Sequence, residues 1–186
     1  MKNKHHHVCP WWIGYIIDTP LRHLMTPVSK VLKPYLKKGM TFVDLGCGMG
    51  FFSIQGAKIV GNSGKVIAVD IQPKMLQVLE KRAEKAGVNH IIQTHFAEPT
   101  DIRLEAKADF ALAMWMLHEV PDIKRFLEQV KSVLNPGSYF LVVEPIPHVS
   151  NKMIKEEIDL AKQSGFEFIG YKDAGLFSKG MLFKVH

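Results

Sequence analysis

Three glycines at alternate positions, Gly46, Gly48 and Gly50, form the stretch of this sequence whose residue types and spacing are best suited to chemistry. They follow a short apolar run that contains one acid, Asp44, and Cys47 lies between the first two of them. Glycine at this density removes side chains where a ligand must approach the backbone closely, as at nucleotide-binding turns. The stretch therefore predicts a nucleotide site, and its neighbours must indicate which nucleotide binds.

The residues next to the glycines distinguish between two kinds of cofactor. The dinucleotide fingerprint G-x-G-x-x-G places its third glycine inside the first turn of a helix, whereas here Gly50 comes one position earlier and Phe51 and Phe52 follow it. Those rings occupy the position at which a pyrophosphate would contact the helix N-terminus. Asp44 would repel a pyrophosphate but could accept, through water or backbone, from the ammonium group of an amino-acid-bearing cofactor. The pattern favours S-adenosylmethionine over NAD, while Asp70, which could bind ribose hydroxyls in either cofactor, does not discriminate.

The elements that must position this turn alternate between strand and helix from residue 41 onward. Amphipathic segments that begin after Pro73, Asp122 or Ser150 predict helices between the strands. The last two β-rich pieces, 166–171 and 181–186, are joined by a loop too short for a crossover helix, so they must pair antiparallel. The sequence thus predicts an α/β, doubly wound, mostly parallel seven-stranded sheet whose ligand crevice lies beyond the carboxyl ends of its strands. The five parallel strands are predicted at 41–46, 65–70, 90–95, 108–114 and 138–145.

Composition limits the class of protein. With 186 residues, of which 47% are hydrophobic, the chain fits one ordinary globular domain. The longest uncharged apolar run in the body of the chain, 110–117, is too short to cross a bilayer, and the N-terminus lacks the pattern of a secretory signal. Two cysteines provide no disulfide framework, so a reduced, cytoplasmic protein is predicted.

The net charge of +6 is concentrated at the N-terminus. Residues 1–40 contain seven basic side chains and one acid, whereas residues 41–186 contain 17 of each. We therefore predict a basic, aromatic, helical segment over 1–40 and a cofactor-binding domain over 41–186. A nucleic-acid enzyme more often carries its basic face on the catalytic body, so a nucleic-acid partner is disfavoured.

Four stretches carry a resemblance to a known family: "VDLGCGMG", "VIAVD", "LHEVPD" and "LNPGSYFLVVEP". From about residue 40 to residue 186 the chain resembles class I S-adenosylmethionine-dependent methyltransferases, and among them the small-molecule branch that includes quinone-ring C-methyltransferases. The resemblance implies a Rossmann-like methyltransferase fold with a terminal antiparallel strand pair, S-adenosylmethionine as cofactor, and methyl transfer as activity.

The resemblance also implies roles for individual residues. Gly46 and Gly48 would line the methionine and ribose part of the cofactor, and Asp44 would orient that segment. Asp70 would accept the ribose hydroxyls, with Ile71 beside the adenine. The cofactor-binding residues predicted in this way are Asp44, Gly46, Cys47, Gly48, Gly50, Asp70, Ile71, Phe96, Ala97 and Met114.

One stretch departs from the family pattern. Many relatives place an acid after the third strand to accept from the adenine amino group, whereas this sequence has "THFAEP" there. Phe96 either stacks on the adenine or is a core aromatic, and Glu98 is a candidate replacement for the missing acid.

Candidate residues for the acceptor side follow the fourth predicted strand. Methyl transfer is an in-line displacement, so the protein mainly positions and desolvates the reactants and takes up a proton. His118 has an ordinary pKa near neutrality and is the candidate general base; the alternative is that it packs or caps at the start of a loop. The predicted substrate residues are Trp12, Trp115, His118 and Glu119, with His118 as the candidate catalytic residue.

The predicted function is S-adenosylmethionine-dependent methyl transfer to a small-molecule acceptor. Two alternatives stay open: a nucleic-acid methyltransferase that docks through the basic N-terminus, and a non-catalytic cofactor-binding protein. The stretch "MWML" at 114–117 stands where base-amino methyltransferases carry an N/D-P-P-Y/F tetrad, which counts against the first alternative.

Two motifs in the N-terminal segment are open to several interpretations. The run "HHHVC" at 5–9 holds metal-competent side chains, but consecutive histidines point in different directions, so a solvated tail is predicted and no metal site. The run "PWWIGYII" at 10–17 predicts a lid over the acceptor pocket, peripheral contact with a membrane surface, binding of an apolar, anionic acceptor, or a helical cap packed on the sheet.

Overall fold

The computed structural model describes residues 10–12, 14, 25–146 and 148–186. Its centre is one sheet built from seven strands: β1 Thr41–Leu45, β2 Lys65–Asp70, β3 Ile92–Phe96, β4 Ala108–Met114, β5 Leu134–Pro145, β6 Phe166–Asp173 and β7 Ser178–Val185. Across the sheet they lie in the order β3-β2-β1-β4-β5-β7-β6. The first five strands pair in parallel, whereas β7 pairs antiparallel with both β5 and β6. The predicted fold class is confirmed, including the terminal antiparallel pair.

Two of the helices begin at a capping side chain that the sequence offers. The Asp122 side chain accepts from the backbone N of Arg125, and the Ser150 side chain accepts from the backbone N of Met153, so both helices have a satisfied first turn. Pro73 occupies the first helical position of its helix, where its missing N–H costs nothing. The helices are α1 Val28–Val31, α2 Phe51–Val60, α3 Pro73–Lys85, a 3-10 helix Leu117–Glu119, α4 Ile123–Val133 and α5 Asn151–Gln163.

Strand β5 begins four residues earlier than predicted, at Leu134. Leu134 pairs with Ala108, and the register then shifts before Phe110 pairs with Tyr139. The segment 135–137, "NPG", therefore lies inside the strand as an irregularity, although its composition is typical of a turn.

The sheet is buried on both faces, because helices cover each of them. Along β1, Val43 belongs to one hydrophobic core and Phe42 to the other, since successive side chains of a strand point to opposite faces. Leu127 of α4 lies in the first core and Leu79 of α3 in the second. This burial explains why the central strands read as continuous apolar runs.

Part of the predicted N-terminal segment belongs to the main body. Val31, Leu32 and Leu36 are at most 3% exposed and lie in the same core as Phe42. Lys30 Nζ is 2.5 Å from Asp173 Oδ2, which ties α1 to the end of β6. None of the helices in the described residues is both long enough and apolar enough to cross a membrane.

Candidate functional site

A cavity of about 590 Å³ opens beyond the carboxyl ends of β1, β2 and β4. Much of its wall is built from the residues at and just after the ends of these strands, as expected for an open α/β sheet. Nine of the residues predicted to bind cofactor or substrate lie on this wall: Gly46, Gly48, Asp70, Ile71, Ala97, Met114, Trp115, His118 and Glu119.

The glycine turn forms the part of the wall that directly follows β1. Gly48 has φ +54, and a Cβ added there would meet no atom within 4 Å, so a side chain would be strained and would take up open space beside the turn. Gly46 has φ +65, and its added Cβ would come within 2.9 Å of Met116 Cγ. The turn therefore requires glycine at both positions and presents bare backbone to a ligand.

Asp70 faces the turn from the end of β2. Its Oδ2 accepts from the backbone N of Gly48 at 2.8 Å, and its Oδ1 accepts from the backbone N of Gln72 at 2.9 Å. Burial raises the pKa of this carboxyl, and the backbone hydrogen bonds partly offset the rise. A carboxylate offers about four acceptor positions, and the backbone N–H groups of Gly48, Gln72 and Ile71 occupy three of them, so capacity is left for a ligand hydroxyl. The open turn and this carboxylate fit the ribose and amino-acid parts of S-adenosylmethionine.

Three predicted cofactor residues lie behind the turn and not on the wall. Asp44 is 2% exposed and accepts from Ser53 Oγ at 2.5 Å. Cys47 is buried, which raises the pKa of its thiol well above the usual value and leaves it unreactive. Gly50 has φ +87, and an added Cβ would lie 2.6 Å from Leu79 Cγ. These residues support the turn, and direct contact with the cofactor stays a prediction for each.

The region after β3 departs from the prediction. Phe96 is 52% exposed and lies off the cavity wall, so it is not a core aromatic. Ala97 and Glu98 do lie on the wall, and Glu98 Oε1 pairs with Arg103 Nη2 at 2.9 Å. Asp101, which the sequence did not single out, is a second wall carboxylate in this region.

His118 lies on the opposite side of the cavity, in the 3-10 helix after β4. Its Nδ1 is 2.5 Å from Glu144 Oε2, and its backbone N donates to Glu144 Oε1 at 3.3 Å. Burial alone would lower the pKa of His118, but the hydrogen bond and charge of Glu144 outweigh it and raise the pKa above the usual value. Glu119 and Glu157 add to this rise.

Two further groups complete this side of the site. The ring of His148 lies on the cavity wall, with its centroid 5.9 Å from that of His118. Glu157 of α5 is 2% exposed, and its Oε2 has no hydrogen-bond partner. Burial, followed by the charge of Glu144, raises the pKa of Glu157 to about 8.

Trp115 has a strained backbone beside His118. Its φ is +57, a conformation that residues other than glycine rarely adopt and that tends to occur at functional sites. Two hydrogen bonds hold it there: its backbone N donates to Val143 O at 2.7 Å, and its Nε1 donates to Ser178 Oγ at 3.0 Å.

The cavity wall is acidic and rich in methionine. No lysine or arginine occurs among the described residues that line it, although the chain as a whole carries a net charge of +6. Two imidazoles, of His118 and His148, are its only basic groups within that described set. Its carboxylates are Asp70, Glu98, Asp101, Glu119 and Asp122, and its methionines are Met49, Met75, Met114 and Met116.

The structure describes part of the N-terminal segment and shows where two of its residues lie relative to the cavity. Trp12 is 52% exposed and lies off the cavity wall, so the structure does not bring this predicted substrate residue to the site. Gly14 does lie on the wall, where an added Cβ would be 3.1 Å from Met49 Cε. Residues 5–9, with their histidines, lie outside the described residues. Among the residues that the structure does describe, no cluster of three metal-ligating side chains occurs.

Sequence reasoning missed Glu144 and Glu157. Glu144 had a readable signal, because it is a lone acid at the carboxyl end of an apolar strand, as Asp70 is in β2. Glu157 shares the buried helix face of Ile154, Ile158 and Ala161, a position at which an acid is rarely found.

Comparison with known proteins identifies the family. A family model described as "Methyltransferase domain" matches residues 36–170. A solved structure, a SAM-dependent methyltransferase from Aquifex aeolicus, is 26% identical, covers 96% of this chain and 100% of its own, and superposes with a TM-score of 0.87.

Curated relatives point the same way. An uncharacterized methyltransferase from Emericella nidulans is 30% identical over 63% of this chain and 43% of its own length. A demethylmenaquinone methyltransferase from Symbiobacterium thermophilum is 29% identical over 61% of this chain and 46% of its own. The chain spans about half the length of the curated relatives it matches.

These matches confirm two predictions, the class I methyltransferase fold and S-adenosylmethionine as the cofactor that goes with it. The glycine turn and the carboxylate at the end of β2 both lie within the stretch 36–170 that the family model matches. The chain belongs to the methyltransferase-domain family.

Proposed function

We propose that this protein transfers a methyl group from S-adenosylmethionine to a small, uncharged acceptor, and that His118 takes up the acceptor's proton. The observation that carries the proposal is that the glycine turn, Asp70 and the His118 imidazole all face one cavity. A cofactor site and a proton acceptor would thus share one cavity.

The cofactor would lie against the turn. Gly46 and Gly48 would contact it through bare backbone, Asp70 would accept from its ribose hydroxyls, and Ile71 and Ala97 would flank its adenine. Bound S-adenosylmethionine supplies an electrophilic methyl group on a positively charged sulfur. The chain's own contribution is to hold this group and the acceptor in line and to exclude water.

His118 would act at the acceptor. Because Nδ1 is engaged by Glu144, Nε2 is the ring atom left to receive a proton from the acceptor. A raised pKa makes the imidazole a stronger base, which suits an acceptor that must lose a weakly acidic proton as it is methylated.

The acidic wall supports an uncharged acceptor. Five carboxylates and no lysine or arginine in the described lining would repel an anion such as a phosphate or carboxylate. The four methionines offer adaptable apolar contacts. Two groups of relatives are named demethylmenaquinone and 2-phytyl-1,4-naphthoquinone methyltransferases, so a reduced naphthoquinone ring is the first acceptor to test.

The N-terminal segment would help enclose the acceptor. Gly14 on the cavity wall supports this role, because it brings residues preceding α1 against Met49 and Met75.

The test has two steps. Titration calorimetry should show micromolar binding of S-adenosylmethionine and none of NAD. Incubation with 1,4-naphthoquinol should then produce S-adenosylhomocysteine and a product heavier by one methyl group, whereas 1,4-dihydroxy-2-naphthoate, which adds a carboxylate, should react at least tenfold more slowly. Binding without turnover of either compound would favour a non-catalytic cofactor-binding protein.

A further inference from the structure

Glu144 is a buried carboxylate at the end of β5, and although it lies in the stretch "LNPGSYFLVVEP", the family resemblance implied no role for it. We propose that Glu144 is a positioning residue for His118, holding the imidazole so that Nε2 is the atom presented to the acceptor. The proposal rests on the methyl transfer proposed above, because it assigns Glu144 a role in that reaction.

The two oxygens of Glu144 engage the ring and the main chain of the same residue. Oε2 lies 2.5 Å from His118 Nδ1, and Oε1 accepts from His118 N at 3.3 Å. Two contacts from one carboxylate fix both the position of the residue and the rotation of its ring. They also fix the tautomer, because a carboxylate at Nδ1 favours the proton on that nitrogen and leaves Nε2 as the acceptor.

Burial makes this pairing mandatory for Glu144. Its side chain is fully buried, and within the described part of the chain His118 is the residue that hydrogen-bonds it. A buried carboxylate is costly without a partner, so the ring is held strongly. The His118 side chain is 13% exposed and lies on the cavity wall, which leaves its other edge accessible.

The sheet supplies the rigidity that positioning needs. β4 and β5 are neighbouring parallel strands, and Met114 pairs with Val143 in their register. The residues that follow this pair, the turn after β4 and Glu144 on β5, therefore emerge at one edge of the sheet. A site held by strands is placed more precisely than one held by loops alone.

Glu157 provides a matched comparison. It is a second buried glutamate near His118, but its pKa of about 8 means that it carries a proton at neutral pH. A glutamine at 157 therefore replaces one neutral group by another, whereas a glutamine at 144 removes the charge that holds His118. The same substitution should therefore have a large effect on His118 at position 144 and a small one at position 157.

The first experiment observes His118 directly, by NMR of the imidazole nitrogens in the full chain across pH. In the wild type we expect neutral His118 to carry its proton on Nδ1. In Glu144→Gln the pKa of His118 should fall by about one unit, while in Glu157→Gln it should fall much less, since Glu157 contributes less than Glu144 to the rise of that pKa. An unchanged pKa and tautomer in Glu144→Gln would overturn the proposal.

The second experiment measures turnover of 1,4-naphthoquinol at saturating S-adenosylmethionine. Glu144→Gln should lower kcat at least tenfold, leave the KM and the cofactor Kd within twofold, and move the acid limb of the kcat profile to lower pH. Glu144→Asp keeps the charge and should restore part of kcat. If Glu144→Gln does not fold, Glu144→Asp is measured against the wild type in its place. A wild type that binds cofactor but methylates nothing would count against the proposed function, while the NMR result would still decide the role of Glu144.

Discussion

At the scale of single residues, Asp70 is the side chain on which cofactor binding most depends. It already accepts from Gly48 and Gln72 and has capacity left for the ribose. Asp70→Asn removes the charge and one acceptor, and hydrogen bonds to charged groups contribute about 1.5–3 kcal/mol, so the Kd for S-adenosylmethionine should rise roughly 10- to 100-fold. Calorimetry measures this change directly.

Asp109 offers the matched control. Its Oδ2 accepts from the backbone N of Thr41 at 2.8 Å, and its Oδ1 accepts from Asn135 Nδ2 at 3.0 Å, yet it lies at the amino end of β4, on the edge of the sheet away from the cavity. Asp109→Asn should lower stability and leave the cofactor Kd within twofold. Equal losses of affinity in the two variants would show that Asp70 acts on the fold and not on the ligand.

Glu157 predicts a pH dependence of stability. Its pKa is about 8 in the folded chain and near 4.5 when unfolded, so between these values the folded state holds a proton that the unfolded state releases. The free energy of unfolding should therefore fall as pH rises across this window, by up to about 1.4 kcal/mol per pH unit. Glu157→Gln removes the contribution of this carboxyl to the pH dependence of the free energy of unfolding. Urea unfolding at pH 5.5 and 7.5 should give a flatter dependence for Glu157→Gln than for the wild type.

The control for that measurement is Glu156→Gln, since the Glu156 side chain is 61% exposed and its only recorded ion pair within the described residues is a loose one to Lys152 at 3.9 Å. It should keep most of the wild-type slope, because the charge of Glu156 makes only the smallest contribution to the raised pKa of Glu157. If all three proteins lose stability in parallel, the pKa of Glu157 is not raised.

At the scale of elements, a hydrogen bond from Trp115 Nε1 to Ser178 Oγ joins the turn after β4 to β7. Ser178→Ala should lower the free energy of unfolding by about 1 kcal/mol. Trp115 also has a strained backbone, with a φ of +57. Without the hydrogen bond to Ser178 its ring should become less fixed, and the KM for the acceptor should rise more than the cofactor Kd. Ser132→Ala, which removes an exposed bond to Gln129 O, should change neither constant.

The elements also show what sequence can predict. Strands β1, β2 and β4 were predicted within one residue, because both faces of each are buried and the runs are apolar throughout. The start of β5 was missed, since pairing of Leu134 with Ala108 overrides the turn composition of "NPG". Phe96 and Trp12 were predicted at the site but lie off the cavity wall, because residue type does not say which way a side chain points.

At the scale of the whole molecule, the distribution of charge argues against a nucleic acid as the methyl acceptor. The basic excess lies in residues 1–40, whereas the described cavity wall carries carboxylates and no lysine or arginine. Incubation of the protein with bulk tRNA and methyl-labelled S-adenosylmethionine should leave the RNA unlabelled under conditions in which 1,4-naphthoquinol is methylated. Labelled RNA would instead support docking through the basic segment.

The position of β7 has a consequence for how the chain is made. β7 follows β6 in sequence but lies between β5 and β6 in the sheet, so β6 leaves the ribosome before the strand to which it must pair. Until β7 arrives, β6 has no place in the sheet and Trp115 has no Ser178 to bind. During synthesis the glycine turn and Asp70 are therefore available to form first, and the acceptor side of the cavity is completed last.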